Sequence, residues 1–329
     1  MTIVSRDFKI LLRELERSGD VTIYYNISAD GIITAYHLLR FMNAEARESA
    51  VLKPVARMEV DSDAGHGDTI IYVGVVPKSP GMPGIRSFAI LYPGQKPPPG
   101  VIVLEGVEPS ESLDAALSVG TGDYHPVMAA ASIVDTAWRA SLTSKNYRSF
   151  MESAGLDPEE DFWIPETVAS NLGSIRESCN MNAAAWYPRL LSYDTAEPAK
   201  STFEDAMLAS LRAQMDFEIN SLLAQAKASI SGMCNDLMAV RLDYKSFAHD
   251  RLSRLLWRDL GEPVVVYGSD RCSGNTVFSL TGNVDRGRVE RFLDSAAYMW
   301  RGIANNGFTH VSGISRVEIL DESLKLLCG

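Results

Sequence analysis

Apolar positions in the first half of the chain fall into short runs separated by turns. VTIYYN (21–26), DTIIYVGVV (68–76), SFAILYP (87–93) and VIVLEG (101–106) are apolar over most of their length, and VLKPVARMEV (51–60) ends in a similar run. Continuous runs of this kind predict strands buried on both faces, as in a parallel sheet covered by helices. Helical spacing fills the intervals. Ile3, Phe8, Leu11, Leu12 and Leu15 share a face over 3–18, and Ala35, Leu38, Leu39 and Met42 share one behind the Asp30-Gly31 turn. Further helical segments are predicted over 110–119 and 126–142. Ligands in such a sheet gather beyond the carboxyl ends of the strands, so functional positions are expected just after residues 25, 73, 91 and 134.

Residues 143–200 read as mostly helical, interrupted by Pro158, Pro165, Pro188 and Pro198. The proline-free stretch 201–240 reads as one long helix, either an interdomain connector or a core helix. Residues 262–270 and 275–283 predict paired strands, 286–304 a helix, and NNGFTHVSGISRVEIL a glycine-rich turn into a strand. A chain of 329 residues exceeds one ordinary core. The expected architecture is therefore α/β. A mainly parallel amino-terminal sheet with helices on both faces spans 1–200, a connector helix 201–240, and a small carboxy-terminal α/β domain 241–329.

Composition narrows the classes. Hydrophobic residues at 46% and charged residues at 22% fit a folded soluble protein. No stretch approaches the roughly 20 apolar residues of a membrane helix, and the opening segment reads as amphipathic rather than as a signal peptide. Cys179, Cys234, Cys272 and Cys328 form no CxxC pair. That disfavours zinc and leads to an expectation of reduced thiols in a cytoplasmic setting. The net charge of −11 gives no global attraction to phosphate. Basic residues concentrate in 241–258, with Tyr244 and Trp257, and in RGRVERF, with Arg301 beyond it. Both suit single-stranded backbone contact with stacking, and equally a solvated helix face. Nucleotide-binding and hydrolase signatures such as GxxxxGK[ST], HExxH and GxSxG are absent. The polar run containing Asp61, Asp63, His66 and Asp68 reads as a turn between strands. GSDRCSGN (268–275) reads as a hairpin loop, and PGQKPPPG (93–100) as a rigid turn, with a partner-docking element as the alternative.

NISADGIITA resembles the first motif of the DHH phosphoesterases, which runs acidic or His, any residue, Asp, any residue, Asp, Gly off the first strand. The family's further stations resemble this chain in order: a second-strand Asp, the Asp-His-His triplet, a helical Asp, and a Gly-Gly-His segment before a small-residue turn. The departures from that pattern are systematic. Asn26 and Ser28 stand on acidic positions, Gly74 on the second-strand Asp, and Tyr92, Pro93 and Gly94 on the triplet. Only Asp30 and Asp135 keep expected ligands. In the small domain, Phe308 stands on the His position, with Gly307, His310, Ser312 and Gly313 around it.

A two-metal hydrolase needs several carboxylates and imidazoles around ions about 3.5–4 Å apart. Mn²⁺ and Mg²⁺ want hard oxygen donors. The resemblance therefore implies a non-catalytic member without a cofactor, with Mn or Mg as the alternative and at most weak Mg at Asp30 and Asp135. The RecJ-like branch implies single-stranded nucleic acid, a nucleotide or GINS-like replication proteins as partners, and no membrane. Two further functions stay open. One is an active phosphoesterase or single-strand exonuclease using Asp30 and Asp135; the other is a nucleotide sensor that does not hydrolyse its ligand.

Overall fold

The apolar runs form a parallel sheet because neither of their faces can be left in water. In the computed structural model the chain begins with α1 (Arg6–Arg17), β1 (Val21–Asn26), α2 (Ala29–Phe41), α3 (Ala44–Ser49) and β2 (Val51–Val55). It continues through β3 (Glu59–Val60), β4 (Thr69–Val73), β5 (Val76–Pro77), β6 (Arg86–Ile90) and β7 (Val101–Val103). The structure describes residues 6–17, 19–61, 67–79, 84–104, 111–193, 197–234, 237–244, 247–305, 307–315 and 320–328. Five strands make an all-parallel sheet in the order β2-β1-β4-β6-β7, and β3 pairs with β5 separately. Side chains alternate across β1. Ile23 and Tyr25 enter the main core with Leu38 and Leu39 of α2, while Tyr24 stacks on Tyr72 at 5.5 Å on the opposite face. Asp63 and His66 of the polar run lie outside the described residues. Asp61 in the same run pairs with Lys78 at 3.1 Å.

Helices α4 (Leu113–Thr121) and α5 (Pro126–Ala137), a 3₁₀ segment (Trp138–Thr143), α6 (Lys145–Ser153), α7 (Trp163–Glu177), α8 (Met181–Tyr193) and α9 (Pro198–Glu204) flank the sheet. The Tyr25 hydroxyl donates to the Ala184 carbonyl at 2.6 Å, tying the central strand to α8. The long helix is shorter than its periodicity predicts. It becomes α10 (Ala206–Ser229), capped where Asp205 accepts from the Leu208 N–H at 2.9 Å. Residues beyond it form β8 (Ser231–Cys234) and β9 (Leu237–Arg241). In β9 the true period is two: Leu237 and Ala239 enter one core cluster, and Val240 another.

The second sheet adds α11 (His249–Leu260), β10 (Val264–Asp270), β11 (Asn275–Gly282), α12 (Arg286–Ala296), β12 (Ala297–Ile303) and β13 (Thr309–Ser315). Its order is β12-β13-β11-β10-β9-β8, with β9 and β10 parallel and the other pairs antiparallel. The segment 268–275 forms the tip of the β10–β11 hairpin, with residues 271–274 as the turn between paired strand ends. The expected helix over 286–304 stops at Ala296. Met299, Arg301 and Ile303 then alternate inward as strand β12. Met299, Ile303 and Ile314 join the core cluster built on the parallel sheet, so the two sheets share apolar packing. No helix among the described residues is long and apolar enough to cross a membrane.

The four cysteines correct the expectation of reduced thiols. Cys179 pairs with Cys272 and Cys234 with Cys328, at Cα separations of 6.1 and 5.8 Å. Neither pairing has a local sequence signature, because the partners lie 93 and 94 residues apart. Cys179–Cys272 joins the end of α7 to the hairpin of the second sheet. A Cys179→Ser/Cys272→Ser variant should lose about 2–4 kcal/mol through freed chain entropy, measured by urea unfolding against the oxidised parent. Equal unfolding midpoints would refute that contribution.

Candidate functional site

Strand β1 delivers Asn26 to its carboxyl end, and the turn into α2 is fixed by side chains. Asn26 Oδ1 accepts from the Ser28 N–H at 2.9 Å and from the Ser28 hydroxyl. Ser28 caps α2 by accepting from the Gly31 N–H at 3.0 Å. The next residues place Asp30 in the first turn of α2 with 0% exposure. Its carboxylate accepts three hydrogen bonds: from the Tyr92 hydroxyl at 2.7 Å, and from the Leu113 and Asp114 N–H groups at 3.1 Å each. The latter two are amides at the start of α4 without partners inside that helix, so Asp30 caps it from another element and meets the positive end of its dipole. Burial pushes the Asp30 pKa up to about 7 against these bonds.

Asp135, near the end of α5, lies beside this group. Its Oδ2 accepts from the Asp30 N–H at 3.2 Å and from Arg301 Nη1 at 2.6 Å. Arg301 reaches in from β12 and is 3% exposed. Burial alone would disfavour its charge, but Asp135 raises its pKa above the ordinary value, aided by Tyr92 and Asp250. Arg301 Nε donates to the Ser312 hydroxyl at 3.3 Å. Burial would likewise raise Asp250, yet Arg254, His310 and Arg301 hold its carboxyl well below the usual range.

Gly74 occupies the end of β4 at φ +65°. A Cβ there would lie 2.1 Å from Asn26 Nδ2 and 2.8 Å from the Tyr92 ring, so no carboxylate side chain fits without rebuilding the site. Tyr92 fills the space itself and accepts from Asn26 Nδ2 at 3.3 Å. Pro93 and Gly94 serve a different purpose. The Pro93 carbonyl accepts from the Trp300 N–H at 3.2 Å, and a Cβ on Gly94 (φ +88°) would lie 2.7 Å from the Tyr298 carbonyl oxygen. The start of the 93–100 segment is thus held against the second sheet, while Lys96, Pro99 and Gly100 are exposed. Gln95 anchors it by accepting from the Tyr92 N–H at 2.8 Å and donating to the Gly74 carbonyl at 3.0 Å.

The structure therefore brings together Asn26, Ser28, Asp30, Gly74, Tyr92 and Asp135, with Ser312 and Gly313 facing them from β13. It does not bring in Phe308 or His310. Phe308 packs edge-on against Trp138 and Trp257 at 5.9 and 4.8 Å. His310 Nε2 lies 2.9 Å from Asp250, and its Nδ1 is 2.8 Å from the Thr281 hydroxyl. Gly307 donates to Asn305 at 2.9 Å in an exposed turn. The cavity left between Asn26, Ser28, Tyr92, Arg301 and Ser312 is about 20 Å³, room for one water. Sequence periodicity misplaces Arg301, because the helical spacing of 286–304 conceals strand β12.

No family model and no curated protein matches the sequence. Solved structures do match. RecJ from Thermus thermophilus in complex with Mn²⁺ superposes with a TM-score of 0.55 at 15% identity, covering 98% of this chain and 53% of that one. Exonuclease RecJ bound to manganese gives 0.51 at 12% identity, covering 99% and 94%. The DHH domain of a member of the s1p family of ribosomal proteins gives 0.53 at 8% identity, covering 99% and 89%. The chain has the DHH-superfamily fold. It spans about half the length of the Thermus RecJ.

These likenesses correct the cofactor expectation on both sides. The expected lack of a cofactor does not describe the fold, since RecJ structures hold Mn²⁺. Weak Mg at Asp30 and Asp135 does not describe this chain either. The Asp30 oxygens meet three hydrogen-bond donors and Asp135 Oδ2 meets a guanidinium, and no group of three or more His, Cys, Asp or Glu among the described residues could hold a metal ion.

Arg301→Met should strand the buried Asp135 carboxylate and cost about 3–5 kcal/mol, whereas Arg301→Met/Asp135→Leu should recover most of that loss in chemical denaturation. Asp30 sets a pH dependence. An unfolded Asp releases its proton near 3.9, before the folded one at about 7, so between these values the unfolded state binds fewer protons and stability falls as pH rises. Asp30→Asn should remove that slope. It should also lose about 1–3 kcal/mol at pH 5, because its NH₂ faces donors. Parallel pH profiles for parent and variant would contradict the assignment.

Proposed function

We propose that the chain is a non-hydrolysing binding protein on a DHH fold. The observation that carries this reading is the closed cleft. The positions that correspond to the family's ligands are engaged in hydrogen bonds within the protein, and the Arg301–Asp135 pair occupies their centre. A phosphodiester cannot enter a 20 Å³ space.

A polyanion track is not what the basic segments favour. On α11, Arg251 pairs with Glu177 at 3.0 Å and Arg254 with Asp250, while Arg286 on α12 pairs with Glu290 at 2.7 Å. The surface of α7 to α10 instead exposes Trp163, Trp186, Tyr193 and Phe217 at 59, 55, 58 and 79%. Exposed aromatics of this size suit a protein partner better than a nucleic acid backbone, which supports the scaffold form of the reading.

Exonuclease activity, as in RecJ, is the competing reading. Incubation with Mn²⁺, a labelled single-stranded oligonucleotide and bis-p-nitrophenyl phosphate should give the same background in the parent and in Asp30→Ala/Asp135→Ala. Turnover present in the parent and lost in the double variant would overturn the proposal.

A further inference from the structure

Helix α10 is 24 residues long, about 36 Å. It buries Leu208, Met215, Ile219, Leu222 and Ala226 against the protein. A surface helix normally carries charged residues opposite its buried stripe. The outer face of α10 carries Phe217 instead, 79% exposed and the most exposed of the large hydrophobic side chains among the described residues. Ala213 and Ser221 lie one turn to either side of it, Ser210 and Ala224 two turns, and Ala206 and Ala228 three, and all of these are exposed. The charges of α10 stand at the edges of this face and are engaged within the chain. Asp216 pairs with Arg212 and Arg251, Glu218 accepts from the Tyr244 hydroxyl, and Lys227 donates to Asp259 at 2.7 Å.

The face continues sideways. A hollow of about 470 Å³ lies beside it, lined by Leu211 and Gln214 of α10 and by Cys179, Met181 and Asn182. Trp186, 55% exposed, follows Asn182 by one turn of α8. Alone, α10 offers a strip about 36 Å long and about 10 Å wide, under half of the roughly 800 Å² per partner that stable interfaces bury. The hollow and Trp186 add to that strip, and a contact of this size suits a reversible dimer.

We propose that α10 pairs antiparallel with α10 of a second copy of this chain, about a two-fold axis at Phe217. The proposal rests on reading the α7 to α10 aromatics as a protein-binding surface, and it names what covers the α10 part. Two observations favour a second copy. Phe217 stands at the midpoint of Ala206–Ser229, so a two-fold axis there sets Ala213 against Ser221, Ser210 against Ala224, and Ala206 against Ala228. Small residues meet small residues at every level, and the two Phe217 rings meet at the axis. Such self-complementarity is what a two-fold interface requires. The second observation is charge. Two chains of net charge −11 repel, and a face whose central row has no ionised group lets them touch without apposing like charges. The antiparallel sense also places the two Lys227 side chains at opposite ends and opposes the helix dipoles.

Sedimentation velocity on the full, oxidised chain over a concentration series should show a monomer–dimer equilibrium. Potassium chloride should strengthen the dimer, because it screens repulsion between the chains while the contact has no ion pair to lose. Phe217→Glu should raise the dissociation constant at least tenfold and leave the melting temperature of the dilute monomer unchanged. Ala213→Lys and Ser221→Glu should each weaken the dimer. Combined in one chain they should restore it, because each lysine then meets the partner's glutamate only in the antiparallel register. A parent that stays monomeric at the highest concentration would overturn the proposal. So would a dimer that salt weakens, a Phe217→Glu dimer as tight as the parent's, or a double variant weaker than both single ones. The oligonucleotide assay reads a separate matter: turnover there would remove the non-hydrolysing reading and leave the α10 pairing standing, and a monomeric parent would do the reverse.

Discussion

One buried ion pair, Arg301 with Asp135, holds the arrangement around the strand ends together. It crosses from the second sheet to the last turn of α5, and both side chains are nearly free of solvent. In a medium of low dielectric constant, either charge alone is far less favourable than the pair. Separating the sheets would expose that cost at once. Docking of the two bodies and neutralisation of Asp135 are therefore one event. A dissolved cation in the same place could exchange with solvent; a cation fixed to a β-strand cannot.

The neighbouring groups conform to that constraint. With Asp135 committed to Arg301, Asp30 turns to Tyr92 and the amino end of α4, and Tyr92 occupies the volume above Gly74. Asn26 and Ser28 complete a closed set of donors and acceptors. The hydrogen bonds at Asn26, Ser28 and Asp30 specify a single arrangement, while Arg301 Nη2, 3.9 Å from Asp250, has no hydrogen-bond partner among the described residues.

Much of the first sheet was legible because its strands are buried on both faces. VTIYYN and DTIIYVGVV leave no polar side to mistake, and strand ends predict where Asn26, Gly74, Tyr92 and Asp135 meet. The second sheet was harder to read. Residues 286–304 carry apolar positions that satisfy both a helical and a two-residue period, and only packing decides that the strand begins at Ala297. Reading AYMWRGI as a strand shows an arginine on an inward face between Met299 and Ile303, which is the available signal for a buried ion pair.

The Cys179–Cys272 bridge encloses α8, α9, α10, α11 and the strands up to the hairpin within one covalent loop. A protease that cuts the chain once anywhere inside that loop cannot release either part. The nicked molecule keeps both sheets and the ion pair on one covalent body until the bridge is reduced. Peptide-bond integrity and molecular integrity are thus uncoupled across this segment of the chain.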